Sequence, residues 1–250
     1  MAGVVIGLWV YVGYFYFRPR TVKEPLPIPP AAVSENENKP SPVKLEQSDD
    51  WIRERAETLS SHSGLAAWLK TENIIRRITA AVNIIADGNS PKDSLGFLSP
   101  RKKFAVQKRG RNFYLDPQSY ARYDWAADVF QSLNTEAAVK LFEELKPLFQ
   151  DACRELGCWK RDFQDTWVRA VQELLRTPVV KGQIRLRKKV LSYAIMDTRL
   201  EELSAAQKHL LRMGPKNTAE IQGKLREIAR TLGVPEDQLP KSQTYLSKVR

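Results

Sequence analysis

The chain has 250 residues, a formal net charge of +11 and a hydrophobic fraction of 42%. Two unusual N-terminal segments aside, about 200 residues remain, enough for one domain with a sizeable core. Two histidines and two cysteines argue against a zinc enzyme. The sequence contains no Gly-rich phosphate loop and no HExxH, CxxC or GxSxG signature, so no catalytic, cofactor-binding or metal-binding residue is assigned.

The run Ala2–Phe17, AGVVIGLWVYVGYFYF, carries no charge. As a helix it rises about 24 Å, slightly less than a bilayer core of about 30 Å. Trp9, Tyr11, Tyr14 and Tyr16 suit a membrane interface, and Arg18 and Arg20 can snorkel. No small-residue cleavage site follows, so residues 1–17 read as an uncleaved single-pass transmembrane helix. Residues 18–50 hold seven prolines and read as a disordered Pro-rich tether, reaching on the order of 100 Å when extended. A globular domain is expected over 51–235 and a tail over 236–250.

Within the body, Ser48 suits the N-cap of a first helix through DDWIRERAETL. In the next stretch Ile74, Ile75, Ile78, Ala81, Val82 and Ile85 cover more than half of a helix circumference, the pattern of a central helix. Asp87-Gly88-Asn89-Ser90-Pro91 ends it. KKFAVQKRGRNFYLDP alternates about a turn at Gly110 and reads as a hairpin, with Phe113 facing the core; QIRLRKKVLSYAIMD repeats the theme. Helices are expected over 117–133, 135–156, 163–176, 199–213 and 218–232, the last with an apolar seam of Ile221, Leu225, Ile228 and Leu232. Cys153 and Cys158, taken as one helix, point about 140° apart and cannot bridge. The fold class is mainly α, a multi-helix single domain with one or two small β-hairpins.

The polar residues that stand out are Arg77, Arg122, Gln207, Lys208, Arg212 and Asn217. On a wheel through 199–213, Gln207 falls in the middle of the apolar face of Leu200, Leu203, Leu210 and Leu211. It is either a core amide bonded to the backbone of a neighbouring hairpin or a group lining a ligand pocket. Lys208, Glu201 and Arg212 form a stripe beside it, either solvated or an anion site. Gly214-Pro215 is a helix corner with Gly214 as a left-handed C-cap, and Asn217 can cap the helix that follows. Arg77 sits at the edge of the central helix's apolar arc and Arg122 between two tyrosines; each calls for carboxylate or carbonyl partners. The carboxylates Asp162, Asp165 and Glu173, and Asp197, Glu201 and Glu202, read as solvent-facing.

The basic excess gathers on the two hairpins. Arg101, Lys102, Lys103, Lys108, Arg109 and Arg111 decorate the first; Lys181, Arg185, Arg187, Lys188 and Lys189 decorate the second. If the hairpins pair, these cations share one surface. Three readings stand: charge that keeps an exposed sheet from aggregating, a binder of anionic lipid or envelope polymer, or a nucleic-acid binder.

LEELSAAQKHLLRMGPKN, together with RRITAAVNIIA, SYARYD, FQDACRELGCWKRDFQD and LLRTP, resembles the bacterial DUF3014 family of domains of unknown function over roughly Asp49 to Leu232. The sequence departs from the family pattern at Cys158-Trp159, where Tyr-Pro is expected, and before Asn83, where an aspartate is expected. The resemblance implies a Gram-negative envelope protein with one N-terminal membrane helix in the inner membrane and a periplasmic body. It implies no activity, cofactor or catalytic residue. The flanking charges Arg18, Arg20 and Lys23 favour a cytoplasmic body instead. The expected function is a non-enzymatic interaction or scaffold module of the envelope, bound to the membrane by its N-terminal helix, with an envelope protein, anionic lipid or polymer as partner. An enzyme whose pocket joins Arg77, Gln207 and an acidic residue is the alternative. Nucleic acid would require a cytoplasmic body.

Overall fold

The computed structural model describes residues 43–100, 102–158, 162–190 and 192–247. The expected membrane helix, most of the tether and Arg101 lie outside the described residues. Among the described residues no helix is long and apolar enough to cross a membrane.

The body is mainly helical. Helix α1 spans Ser48–Ala56. Ser48 lies inside the helix and does not cap it; its hydroxyl donates to the Leu45 carbonyl (2.8 Å), in a 3-10 turn over Leu45–Gln47. Asp49 does the capping, but of another helix. Its carboxylate accepts from the backbone N–H groups of Asn73 and Ile74 at 2.6 and 2.9 Å, two of the donors left unpaired at a helix start. Helices α2 (Ser63–Leu69) and α3 (Ile74–Ala86) follow, separated by Asn73 at φ 57°. Helix α3 is central as expected: it packs on both long helices described next, with Ile75 and Ala81 buried and Thr79 fully enclosed.

Helices α4 (Gln118–Ala121) and α5 (Asp124–Gln131) replace the single helix expected over 117–133. The long α6 (Thr135–Glu155) starts at Asn134, whose side chain accepts from Ala137 N–H (2.8 Å), and α7 spans Phe163–Leu175. Phe149 and Phe163 stack at 4.4 Å between ring centroids, flanked by Phe142. This aromatic stack, with Ile74, Ile75, Val82 and Ile85 of α3 and Ile52 of α1, forms the main core.

Cys153 and Cys158 form a disulfide, contrary to the sequence reading. A single helix through both residues would hold them apart, but the chain does not continue as one. Helix α6 stops at Glu155, and Gly157 at φ 78° turns the chain back. Cys158 N–H thereby donates to the Cys153 carbonyl at 2.9 Å, and the two Cα atoms come within 4.9 Å. Only a residue without Cβ adopts that φ freely. Asn83 of α3 donates its side-chain amide toward both sulfurs, 3.6 and 3.3 Å away.

Both expected hairpins form: β1 (Val106–Arg109) with β2 (Asn112–Leu115), and β4 (Arg185–Lys188) with β5 (Tyr193–Ile195). They join through antiparallel β2–β4 pairing, Phe113 opposite Leu186 and Tyr114 opposite Arg185, into a sheet of order β1-β2-β4-β5. Leu115, Ile184, Leu186 and Ile195 of one face form a second core, with Phe113 against it. Tyr114, on the opposite face by alternation, is also buried. Strand β3 (Val179–Lys181) pairs in parallel with β6 (Thr244–Leu246), from the stretch expected as a tail.

The helix expected over 199–213 is two helices, α8 (Thr198–Glu201) and α9 (Ala205–Leu211). Ser204 and Gln207 break it with a reciprocal capping box. The final helix, α10 (Pro215–Thr231), begins at the corner: Gly214 is its N-cap at φ 90° and ψ 165°, not a left-handed C-cap. A Cβ there would lie 2.4 Å from the Tyr120 ring. The buried stripe of α10 is Thr218, Gln222, Leu225 and Ala229, while Ile221, Ile228 and Leu232 of the expected seam are only half-buried. Gly214→Ala combines a disfavoured φ with a clash against a packed ring, so it should destabilise the body by about 2–4 kcal/mol in urea unfolding.

Candidate functional site

Two features of the body concentrate polar chemistry. One is buried, along α10; the other is exposed, at one end of the four-stranded sheet.

Along α10, Gln222 is 1% exposed and its Nε2 donates to the carbonyls of Leu174 (2.9 Å) and Thr177 (2.8 Å), at the C-terminal end of α7. Lys224, 6% exposed, donates to the Leu133 carbonyl (3.0 Å) and the Thr135 hydroxyl (3.2 Å), and pairs with Glu227 at 2.8 Å. Asn217, 1% exposed, donates to the Tyr120 and Met213 carbonyls and to Asp124 Oδ1 (3.3, 2.9 and 2.9 Å). It lies inside α10 and closes other segments; it is not the expected cap of its own helix. The Thr218 hydroxyl donates to Leu210 at the end of α9 (3.0 Å). The sequence reading singled out Asn217 and missed Gln222 and Lys224. For Gln222 the available signal was its place beside the small residues Thr218 and Ala229 on one face of α10, where another backbone can approach closely; Lys224 lies on a different face and had no such signal.

The remaining candidates are distributed over the fold. Gln207 is buried, its Oε1 accepting from Ser204 N–H (3.1 Å) and its Nε2 donating to Glu173 O (3.4 Å) of α7, not to a hairpin. Lys208 donates to the main-chain carbonyl of Glu201 (2.8 Å) and not to its carboxylate. Arg212 is exposed. Arg77 is half-buried and donates to Glu72 O (2.9 Å); it borders a shallow open depression with Asn73, Arg76 and Asp93. Arg122 donates to Ser119 O and Lys102 O (3.0 Å each) and lies over the Tyr123 and Phe104 rings. Arg77 and Gln207 have separate partners, and Gln207 does not line the depression that Arg77 borders with Asp93. Asp162 and Asp197 cap α7 and α8, and Glu201 accepts from Ile195 N–H (3.0 Å), so these carboxylates are structural rather than merely solvent-facing.

The hairpins do pair, but strand alternation divides their cations. Arg109, Arg185 and Arg187 lie on the outward face; Lys108 and Lys188 lie at the rim of the face that carries the core. Lys181 belongs to the other sheet. Lys102 and Lys103 precede β1 and are exposed. Arg185 donates to Asn112 Oδ1 (2.5 Å), and Arg109 donates to Gln107 and Gln183 (2.9 and 3.3 Å) while lying over the Tyr114 ring. Because β2 begins and β4 ends at the same end of the sheet, the β1–β2 turn and the β4–β5 loop are neighbours. Lys108, Arg109, Arg111, Arg187, Lys188 and Lys189 are all exposed there.

Two consequences of the α10 network are measurable. Gln222→Leu keeps the volume but removes the side-chain donor from the buried Thr177 carbonyl, and should lower stability by about 1–3 kcal/mol in denaturant unfolding. The Glu227 carboxyl is held below its ordinary value of 4.5, first by the hydrogen bond from Lys224 and then by that from Thr135. Its contribution to stability is therefore present above 4.5 and is lost as the pH falls through the depressed native value. Lys224→Met should flatten this acid limb of the stability profile, read from urea midpoints as a function of pH.

No curated protein and no solved structure matches the chain. A family model described as "Protein of unknown function (DUF3014)" matches residues 74–229, from the first residue of α3 to the buried Ala229 near the end of α10. That span takes in the central helix, the sheet and the Gly214 corner, and the chain belongs to the DUF3014 family.

Proposed function

We propose that this protein is a membrane-tethered envelope protein whose body works outside the cytoplasm as a non-enzymatic interaction module. The uncharged run Ala2–Phe17 is the anchor in this reading, and the proline-rich segment sets the body's distance from the inner membrane. The observation that carries the reading is the Cys153–Cys158 disulfide. Such bonds persist in oxidising compartments such as the periplasm and are reduced in the cytosol. The disulfide supports a periplasmic body, against the tendency of Arg18, Arg20 and Lys23 to hold it inside. Gln207, Lys208, Arg77 and Asn217 each donate to a backbone carbonyl, so the pocket joining Arg77 and Gln207 that the enzymatic alternative calls for draws no support from these side chains.

Alkaline phosphatase fused after Arg250 should be active, and a fluorescent protein that matures only in the cytoplasm should stay dark in the same place. Fluorescence without phosphatase activity would reject the reading. Cys153→Ser with Cys158→Ser should lower the stability of the purified protein by roughly 2 kcal/mol, as expected for so short a loop. Protein isolated under thiol-blocking conditions should take up alkylating reagent at these cysteines only after reduction.

A further inference from the structure

We propose that the end of the four-stranded sheet where the two hairpin tips meet is a docking surface for anionic phospholipid headgroups. This rests on the tethering proposed for Ala2–Phe17, and it names what the body touches when held near that membrane.

The antiparallel β2–β4 register sets the start of β2 beside the end of β4. The Lys108–Arg111 turn and the Lys188–Val190 loop therefore project from one end of the sheet, side by side. Six exposed cations stand there: Lys108, Arg109, Arg111, Arg187, Lys188 and Lys189. Among the described residues one carboxylate pairs with any of them, Glu201 with Lys189 at 4.0 Å. So nearly all of this charge faces outward without a counter-charge from the described residues. At the tip, Val190 is 95% exposed.

Charge placed only to block aggregation would lie along the open edges of the sheet. Of the two edge strands, β5 (Tyr193–Ile195) carries none of these cations, and β1 carries Lys108 and Arg109 only at its turn end. They cluster instead at the turns, where few backbone groups remain to be paired by another strand. An aliphatic side chain held out among cations matches the boundary of a bilayer: the cations meet headgroups and the valine enters the interfacial layer. A soluble polyanion offers nothing to the valine.

The test uses the full chain in lipid nanodiscs, either purely phosphatidylcholine or containing phosphatidylglycerol. Trypsin cleaves after the very residues in question. Cleavage after Arg111 and Lys189 should be slower by about fivefold or more in the anionic discs, relative to cleavage after exposed Lys216, and high salt should abolish the difference. Lys108→Gln with Lys188→Gln should weaken the docking by about fivefold per cation removed and so bring cleavage in the anionic discs most of the way back to that in phosphatidylcholine discs. Val190→Ser, at a site too exposed to affect folding, should reduce it as well. Equal cleavage in both kinds of disc, with the chain co-eluting with them, would overturn the docking surface and leave the anchor standing. Protection by soluble polyphosphate equal to that of anionic discs, and insensitive to Val190→Ser, would also overturn it. A chain that fails to co-elute with discs would remove the anchor. The same comparison on phosphatidylglycerol and phosphatidylcholine vesicles would then decide the tips alone: selective protection by the anionic vesicles sustains them, and equal cleavage rejects them.

Discussion

The body depends on one requirement: the carbonyl groups left open where helices end inside the protein must find donors. Helix α10 meets it from a single side. Asn217 reaches Tyr120, Thr218 reaches Leu210, Gln222 reaches Leu174 and Thr177, and Lys224 reaches Leu133. The acceptors lie at or just past the ends of four helices, α4, α9, α7 and α5. Tyr120, Leu210 and Leu174 also accept the turn N–H groups of Tyr123, Met213 and Thr177, whereas Thr177 and Leu133 lie beyond the last helical turn and take their donors from α10. Burial makes the donors necessary, because an enclosed carbonyl without one costs about 1–3 kcal/mol. It also explains why α10 carries two fully enclosed amides and a lysine along a face where leucines would otherwise pack. The lysine is tolerated because Glu227, the Leu133 carbonyl and the Thr135 hydroxyl all meet its ammonium.

A second dependence runs through α3. Its first free N–H groups are closed by Asp49 from α1, and near its other end Asn83 meets the disulfide that finishes α6. The central helix is thus fixed at both ends by side chains and along its length by the aromatic stack of α6 and α7. Residues that looked available in the middle of the chain, Gln207 above all, are occupied by backbone.

Much of this was legible in the sequence because it is local. The Ile74–Ile85 pattern marks a central helix, Gly110 marks a hairpin turn, and Asn134 marks the start of α6, each through a few neighbouring residues. The errors arose where a distant contact overrides local pattern. Ser48 has the chemistry of a cap, but an upstream 3-10 turn claims its hydroxyl, while Asp49 serves a helix more than twenty residues away. Cys153 and Cys158 look incompatible until Gly157 ends the helix between them. The seam of α10 was read as Ile221, Leu225, Ile228 and Leu232 because hydrophobicity was the only guide. The buried stripe follows hydrogen-bond demand from neighbours whose positions a helical wheel does not contain. The basic hairpins were found, yet which of their cations share a face depends on register, and Lys181 belongs to another sheet altogether.

The pairing of β3 with β6 carries a consequence for how the chain assembles. The strand that completes this small parallel sheet lies beyond α10, and Tyr245 within it donates to Asp197 at the start of α8. A chain still emerging from a ribosome or a translocation pore holds β3 with its partner missing and Asp197 with its phenol unmet. The contact is far apart in sequence, the kind that forms slowly because a long loop must close first. Completion of this small sheet therefore waits on β6, and a premature stop shortly before Thr244 would leave an open strand edge available to other chains.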